Sequence, residues 1–119
     1  MSHLLSELFV REKIVVIMRG LEPEKAQACG EALVQAGIQL MEVPLNRPGA
    51  LESIRILAEH FHGSNIHVGA GTVLRSEQVG QVQEAGGEFI ISPNVNGSVI
   101  RRTKELGLLS MPGDRKSVV

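Results

Sequence analysis

Glu42 lies inside an apolar run, Leu40-Met41-Glu42-Val43. A carboxylate placed there is partly desolvated, and desolvation raises its pKa towards the range useful for proton transfer near neutrality. A general acid/base is one reading of Glu42. The other, of equal weight, is a carboxylate held by a salt bridge to Arg19 on a neighbouring strand. Glu42-Val43-Pro44-Leu45-Asn46-Arg47-Pro48 is one strand-end cluster, and four more follow apolar runs: Arg19-Gly20, Gly69-Ala70-Gly71-Thr72-Val73, Ser92-Pro93-Asn94 and Met111-Pro112-Gly113. Thr72 adds a hydroxyl able to hold a small anion. Gly69-Ala70-Gly71 opens like a dinucleotide-binding turn, but Leu74 stands where the third glycine belongs, so the Rossmann reading is weak. Glycines that let the backbone turn sharply out of a strand are the plainer reading. His60, His62 and His67 fall at a helix end and a strand start, away from these clusters, and read as solvated loop histidines with no metal. Cys29 is the only cysteine, with no partner for an internal disulfide or a metal knuckle. Arg101, Arg102 and Lys104 read as a solvated helix face.

The elements that must position these residues are written in short apolar runs rich in β-branched side chains, each followed by a turn signal and a stretch with helical spacing. The strand candidates are residues 14–18, 40–43, 66–69, 89–92 and 108–111; the helix candidates between them are 23–36, 49–61, 76–85 and 96–106. The first run holds no polar residue, as expected of a strand covered on both faces of a parallel sheet. Leu51, Ile54, Ala58 and Phe61 share one helix face, and Glu52, Arg55 and Glu59 take the other. Pro23 suits a first helical turn, and Gly37, Gly86 and Gly107 stand where left-handed C-terminal caps belong. Leu4, Leu5, Leu8 and Phe9 form a short amphipathic helix ahead of this series. A weak repeat runs through the chain: Gln35-Ala36-Gly37 leads to Pro44, Glu84-Ala85-Gly86 leads to Pro93, and Leu106-Gly107 leads to Pro112. A helix ends at glycine, a strand runs, and proline, which lacks a ladder hydrogen, marks where the chain leaves the sheet. Ligands of parallel α/β sheets bind at that end of the strands.

Composition excludes several classes of function. Among 119 residues, 12 Lys+Arg stand against 13 Asp+Glu, so no basic field exists to hold a nucleic acid. The chain has three Phe and neither Trp nor Tyr, which leaves no base-stacking platform. At 43% apolar and 21% charged residues it belongs with ordinary globular chains rather than disordered ones. No apolar run is long enough for a membrane span, and the N-terminus lacks the layout of a signal peptide, so a cytoplasmic location is expected.

Five strands alternating with four helices fit two architectures. An eight-unit closed barrel needs roughly 200 residues or more, so this chain would hold about half of one. A five-stranded doubly wound sheet of the flavodoxin type needs about 120. Length favours the second, although the residues after 113 are too few for a fifth packed helix.

Taken in order, Val68-Gly69-Ala70-Gly71-Thr72-Val73-Leu74, Phe89-Ile90-Ile91-Ser92-Pro93 and the Glu42 segment resemble the 2-keto-3-deoxy-6-phosphogluconate and 4-hydroxy-2-oxoglutarate aldolases, over about residues 9–113. Met18-Arg19-Gly20 and Glu42-Val43-Pro44-Leu45-Asn46 look more like the 2-keto-3-deoxy-6-phosphogalactonate branch, since the gluconate branch usually has Thr at the place of Pro44 and Arg at that of Asn46. The resemblance implies an α/β fold, the N-terminal half of a TIM (β/α)8 barrel with parallel strands, in residues 1–113, with 114–119 as a tail outside the family pattern. It implies a homo-oligomer, usually a trimer, that uses no cofactor. Such enzymes cleave a 2-keto-3-deoxy sugar acid, often phosphorylated, to pyruvate and an aldehyde through a lysine Schiff base, whose protonated imine accepts the electrons of the breaking C–C bond. By resemblance, Glu42 moves protons through a water, Arg19 and Thr72 hold the pyruvate carboxylate, and Pro93 lines the pyruvate pocket.

One part of the pattern is missing. The family's Schiff-base lysine lies on the sixth strand, beyond Pro112-Gly113, and its phosphate site lies in later loops. The four lysines here are Lys13, Lys25, Lys104 and Lys116, none placed to attack a substrate beside Glu42. Asp114-Arg115-Lys116-Ser117 does not read like the family's turn after Pro-Gly, as in a truncated or frame-shifted product. The expectation is an aldolase half that carries the acid/base and carboxylate-binding residues and is inactive alone. A non-catalytic, self-associating half-barrel and a flavodoxin-like phospholigand-binding domain are the alternatives.

Overall fold

The computed structural model describes residues 14–92, 97–112 and 117–118. The proposed N-terminal amphipathic helix, Lys13, Lys116 and Pro93 lie outside the described residues. Six strands and four helices follow in order: β1 (Val16–Ile17), α1 (Pro23–Gln35), β2 (Leu40–Pro44), α2 (Ala50–His60), β3 (His67–Gly71), α3 (Ser76–Glu84), β4 (Phe89–Ser92), α4 (Gly97–Glu105), β5 (Leu109–Pro112) and β6 (Ser117–Val118). Local signals place these elements close to the expected bounds. Pro23 occupies the first turn of α1, and Gly37, Gly86 and Gly107 take φ of 93°, 97° and 77° just after α1, α3 and α4. β6 is an addition, a strand of two residues that pairs in parallel with β1.

All strand pairs are parallel, and the spatial order is β5-β4-β3-β2-β1-β6. The order of the first five strands is monotonic, so the sheet has no reversal point between them. A flavodoxin-type sheet runs 2-1-3-4-5 with helices on both faces. Here Ala26 of α1, Ile54 and Leu57 of α2, Val79 and Val82 of α3 and Val99 of α4 share one core with Met41, Val43, Val68, Ala70 and Ile90. Every helix therefore covers the same face, and the doubly wound alternative does not hold. The sheet also curls. The chain passes from Pro112 in β5 to Ser117 in β6 within five residues, a reach of at most about 18 Å, whereas the outer strands of a flat six-stranded sheet lie about 24 Å apart.

The second face carries a smaller core of Val15, Leu40, Phe89 and Ile91, with Leu109 and Met111 packed against it. Strand alternation puts Ile17, Glu42, Gly69 and Gly71 on this same inner face, because Ile17 pairs with Glu42 and Glu42 with Gly69. A sheet apolar on both faces, with helices on only one, has the layering of a barrel wall.

The inner surface of α2 differs from the expected one. Its buried residues are Ala50, Ser53, Ile54 and Leu57, while Leu51, Ala58 and Phe61 are half-buried at the flank. Hydrophobic spacing passes over Ser53 because it is polar. Its hydroxyl is fully buried and has no hydrogen-bond partner among the described residues. Thr103 of α4, equally buried, bonds back to the Val99 carbonyl at 2.6 Å. An unsatisfied buried hydroxyl costs about 1 kcal/mol or more, so Ser53→Ala is expected to stabilise the fold by about 1 kcal/mol. A higher midpoint in urea unfolding is the readout; an unchanged or lower one would show that the hydroxyl is satisfied.

Candidate active site

Three adjacent strands present their C-terminal ends at one rim, and the register brings the candidate residues to it. Ile17, Glu42 and Gly69 lie side by side, so two residues further on Arg19, Pro44 and Gly71 follow, and Thr72 comes next. The Met18 amide donates to the Glu42 carbonyl at 2.9 Å and the Leu45 amide to the Gly71 carbonyl at 2.9 Å, which carries the ladder up to the rim. Arg19 and Thr72 thus stand on strands either side of the Glu42 strand, two strand spacings or about 10 Å apart in backbone terms.

Glu42 is 1% exposed on the inner face. Its carboxylate lies directly over Gly71, where an added Cβ would overlap both carboxylate oxygens. Gly69 is tied to its other neighbour, since a Cβ there would enter the Phe89 ring. Neither glycine has a positive φ, and β3 continues through both. The expected role, a sharp turn out of the strand, is therefore corrected. These glycines are required by what lies across them, a carboxylate and an aromatic ring.

The turn belongs instead to Thr72, at φ 55° the only described non-glycine residue with positive φ. A β-branched residue in that conformation is strained by about 1–3 kcal/mol, and such strain gathers at binding sites. The next residue is fixed from β4, where the Ser92 hydroxyl donates to the Val73 carbonyl at 3.0 Å. Beyond it, the Gln78 side-chain oxygen accepts from the amides of Leu74 (2.8 Å) and Arg75 (3.1 Å) and holds the start of α3.

Arg19 does not hold Glu42. Arg19 is exposed, and the ion pairs among the described residues are Lys25–Glu22, Arg55–Glu52, His60–Glu31, His67–Glu88, Arg75–Glu77 and Arg102–Glu105. The two residues share the rim without an ion pair, and the salt-bridge reading is corrected. Two of the three loop histidines are paired rather than simply solvated: His60 Nε2 lies 2.8 Å from Glu31 and His67 Nδ1 lies 2.9 Å from Glu88. Among the described residues no group of three metal-ligating side chains occurs. Arg101, Arg102 and Lys104 are exposed on α4, as expected.

A concavity of about 1320 Å³ lies at the opposite end of the sheet, between the starts of β3 and β4 and the end of α2; His62, His67, Glu59 and Glu88 are among its lining residues. It is open and sits at the strand N-termini, where parallel sheets do not assemble sites. A smaller hollow of about 270 Å³ lies on the rim side, lined by Leu45, Arg47, Pro48, Gln78 and Gln81 among others. Arg47, which the sequence places in the strand-end cluster 42–48 without a particular role, has its guanidinium reaching the loop after β1.

The family model for KDPG and KHG aldolase matches residues 5–118. A probable 2-dehydro-3-deoxy-6-phosphogalactonate aldolase of Rhizobium meliloti (strain 1021) is 39% identical over 100 residues, which are 84% of this chain and 47% of that protein. A solved structure described as native KDPGal superposes with a TM-score of 0.78 at 36% identity, covering 83% of this chain and 48% of the other. The KDPG aldolase of Legionella pneumophila, solved with pyruvate captured at low pH as a covalent carbinolamine intermediate, gives a TM-score of 0.72 at 30% identity over 82% of this chain and 47% of its own. The chain spans about half the length of these proteins.

Proposed function

The chain belongs to the KDPG and KHG aldolase family, and from that membership we propose that its strand-end rim is the pyruvate-binding and proton-transferring half of a class I aldolase site. The observation that carries this reading is the Glu42 carboxylate, buried beside an aromatic-lined inner core and seated over Gly71, one residue before the strained Thr72. The fold supports it, since the curled parallel sheet with helices on one face matches aldolase structures.

In the proposed chemistry Arg19 and the Thr72 hydroxyl hold the carboxylate of a 2-oxo acid, with charge-assisted hydrogen bonds from the guanidinium fixing its orientation. The substrate class is a 2-keto-3-deoxy-6-phospho sugar acid, cleaved to pyruvate and glyceraldehyde 3-phosphate. Glu42 serves as the proton carrier. It delivers a proton to the departing hydroxyl as a carbinolamine loses water, takes the proton of the C4 hydroxyl as the C3–C4 bond breaks, and returns one to C3. A lysine amine must supply the imine. Lys25 and Lys104 are exposed on the outer helices, and Lys25 lies 3.5 Å from Glu22. Pro93 is proposed to line the pyruvate pocket.

Two measurements on the 119-residue chain test this reading. Pyruvate is expected to bind and to shift the amide resonances of Gly71 and Thr72, and Arg19→Ala to weaken it by about ten-fold or more, the loss of one charge-assisted contact. Borohydride added with pyruvate is expected to leave no covalent adduct. An adduct on this chain, or pyruvate shifts confined to the groove at the other end of the sheet, would overturn the proposal.

A further inference from the structure

Thr72 holds a conformation that its own side chain disfavours. At φ 55° a β-branched residue returns to negative φ unless the chain on both sides of it is held. Before Thr72, the Gly71 carbonyl accepts from the Leu45 amide at 2.9 Å. After it, the peptide group that joins Val73 to Leu74 is held at both ends. Its carbonyl, that of Val73, accepts from the Ser92 hydroxyl at 3.0 Å, and its amide, that of Leu74, donates to the Gln78 side-chain oxygen at 2.8 Å. In a trans peptide unit the C=O and N–H point opposite ways from one plane. Side chains from β4 and α3 therefore grip this single unit from opposite sides.

The meeting of these two bonds on one peptide is the informative observation. A glutamine at the third position of a helix ordinarily reaches back to the amide of the capping residue, and Gln78 does this at Arg75, 3.1 Å away. Its other bond goes one residue further, to the unit whose carbonyl Ser92 already holds. Val73 is fully buried, so its side chain fixes the same segment from the core side. The anchor before Thr72 is made by backbone alone. The anchors after it are made by two side chains, which substitution can remove one at a time.

We infer that Ser92 and Gln78 are positioning residues that act through Thr72: by gripping the Val73–Leu74 peptide they keep Thr72 in its left-handed conformation and so set where its hydroxyl meets the carboxylate of a 2-oxo acid. This rests on the reading of Thr72 as a carboxylate ligand. Without either grip Thr72 relaxes to negative φ and its hydroxyl leaves the rim. The strain released offsets the bond lost, so affinity suffers more than stability.

The test uses the 119-residue chain and its Ser92→Ala, Ser92→Thr, Gln78→Ala and Gln78→Glu variants. Three quantities are read: pyruvate affinity by amide-resonance titration, the urea midpoint, and the strong intraresidue amide–Hα Overhauser effect of a residue with positive φ, at Thr72. Ser92→Ala and Gln78→Ala should each weaken pyruvate binding by about five-fold or more, the worth of one hydrogen bond, and weaken the Thr72 Overhauser effect. Ser92→Thr keeps the hydroxyl and Gln78→Glu keeps the acceptor oxygen, so both should recover most of the affinity and the Overhauser effect. Pyruvate binding within about two-fold of native in both alanine variants overturns the inference and leaves the pyruvate site intact. Weaker binding with the Thr72 Overhauser effect unchanged also overturns it, and so does a lower urea midpoint as the sole change, which would make the two bonds structural ties. Absence of pyruvate shifts at Gly71 and Thr72 in the native chain would instead overturn the pyruvate-site proposal on which the inference rests.

Discussion

Gly69→Ala is expected to destabilise the chain by about 3 kcal/mol or more. The new Cβ would enter the ring of Phe89, a fully buried side chain paired across the sheet and packed among Val15, Leu40 and Ile91. A buried ring enclosed on this side by the inner core cannot swing away cheaply. Overpacking a well-filled core typically costs about 1–3 kcal/mol, and an overlap with a ring that cannot retreat belongs at or beyond the top of that range. Urea unfolding followed by circular dichroism reads the loss. Gly80→Ala is the control. Gly80 lies inside α3 with open space where a methyl group would stand, so alanine there should stabilise by about 1 kcal/mol through helix propensity alone. Equal effects at the two positions would mean that the Phe89 ring does not cover Gly69.

The second large effect is a coupling between two positions far apart in sequence. Gly71→Ala should cost about 2 kcal/mol, because its methyl would occupy the space of the Glu42 carboxylate. In a Glu42→Ala background the same change should cost little, since the obstructing group is gone. A double-mutant cycle is therefore expected to return a coupling of about 2 kcal/mol, well above the few tenths seen for independent sites. Pyruvate titration supplies a second readout. Gly71→Ala should weaken pyruvate binding with Arg19 intact, because the displaced carboxylate is forced out of its seat at the rim. Additive stabilities, within about 0.5 kcal/mol, would show that Glu42 does not rest on Gly71.

These two positions show how the sequence can point to a site and still misstate its construction. Gly-x-Gly after an apolar run reads as a flexible turn, because glycine's most familiar use is a positive φ. At Gly69 and Gly71 the backbone is ordinary strand, and the glycines provide space for groups on the two adjacent strands. The turn is made one residue later by Thr72, a residue type that propensity would not choose for it. Arg19 and Glu42 were legible as a pair at one rim, since both follow or interrupt apolar runs that must become neighbouring strands. Whether they bind each other depends on side-chain direction at the strand ends, and the described ion pairs do not join them. Arg47 was legible as part of a strand-end cluster but not in any particular role, for its placement beside Gly20 follows from how two loops pack.

By itself the sequence determined the alternation of strands and helices and nearly all their bounds. Those signals are local: β-branched runs, a proline in the first turn of α1, glycines after α1, α3 and α4, and prolines at strand ends, each acting through the backbone of its own few residues. It also located the rim, because the polar residues of a parallel α/β chain gather where its strands end. Hydrophobic spacing alone left a barrel wall and a doubly wound sheet both open; the family resemblance implied the barrel, and the strand order and helix-covered face of the tertiary structure bear that out. Both architectures need the same hydrophobic pattern, and they differ in strand order and in which face each helix covers, which are set by packing between residues distant along the chain. The same packing seated Glu42 over Gly71 and brought Arg47 over Gly20, contacts that no local propensity encodes.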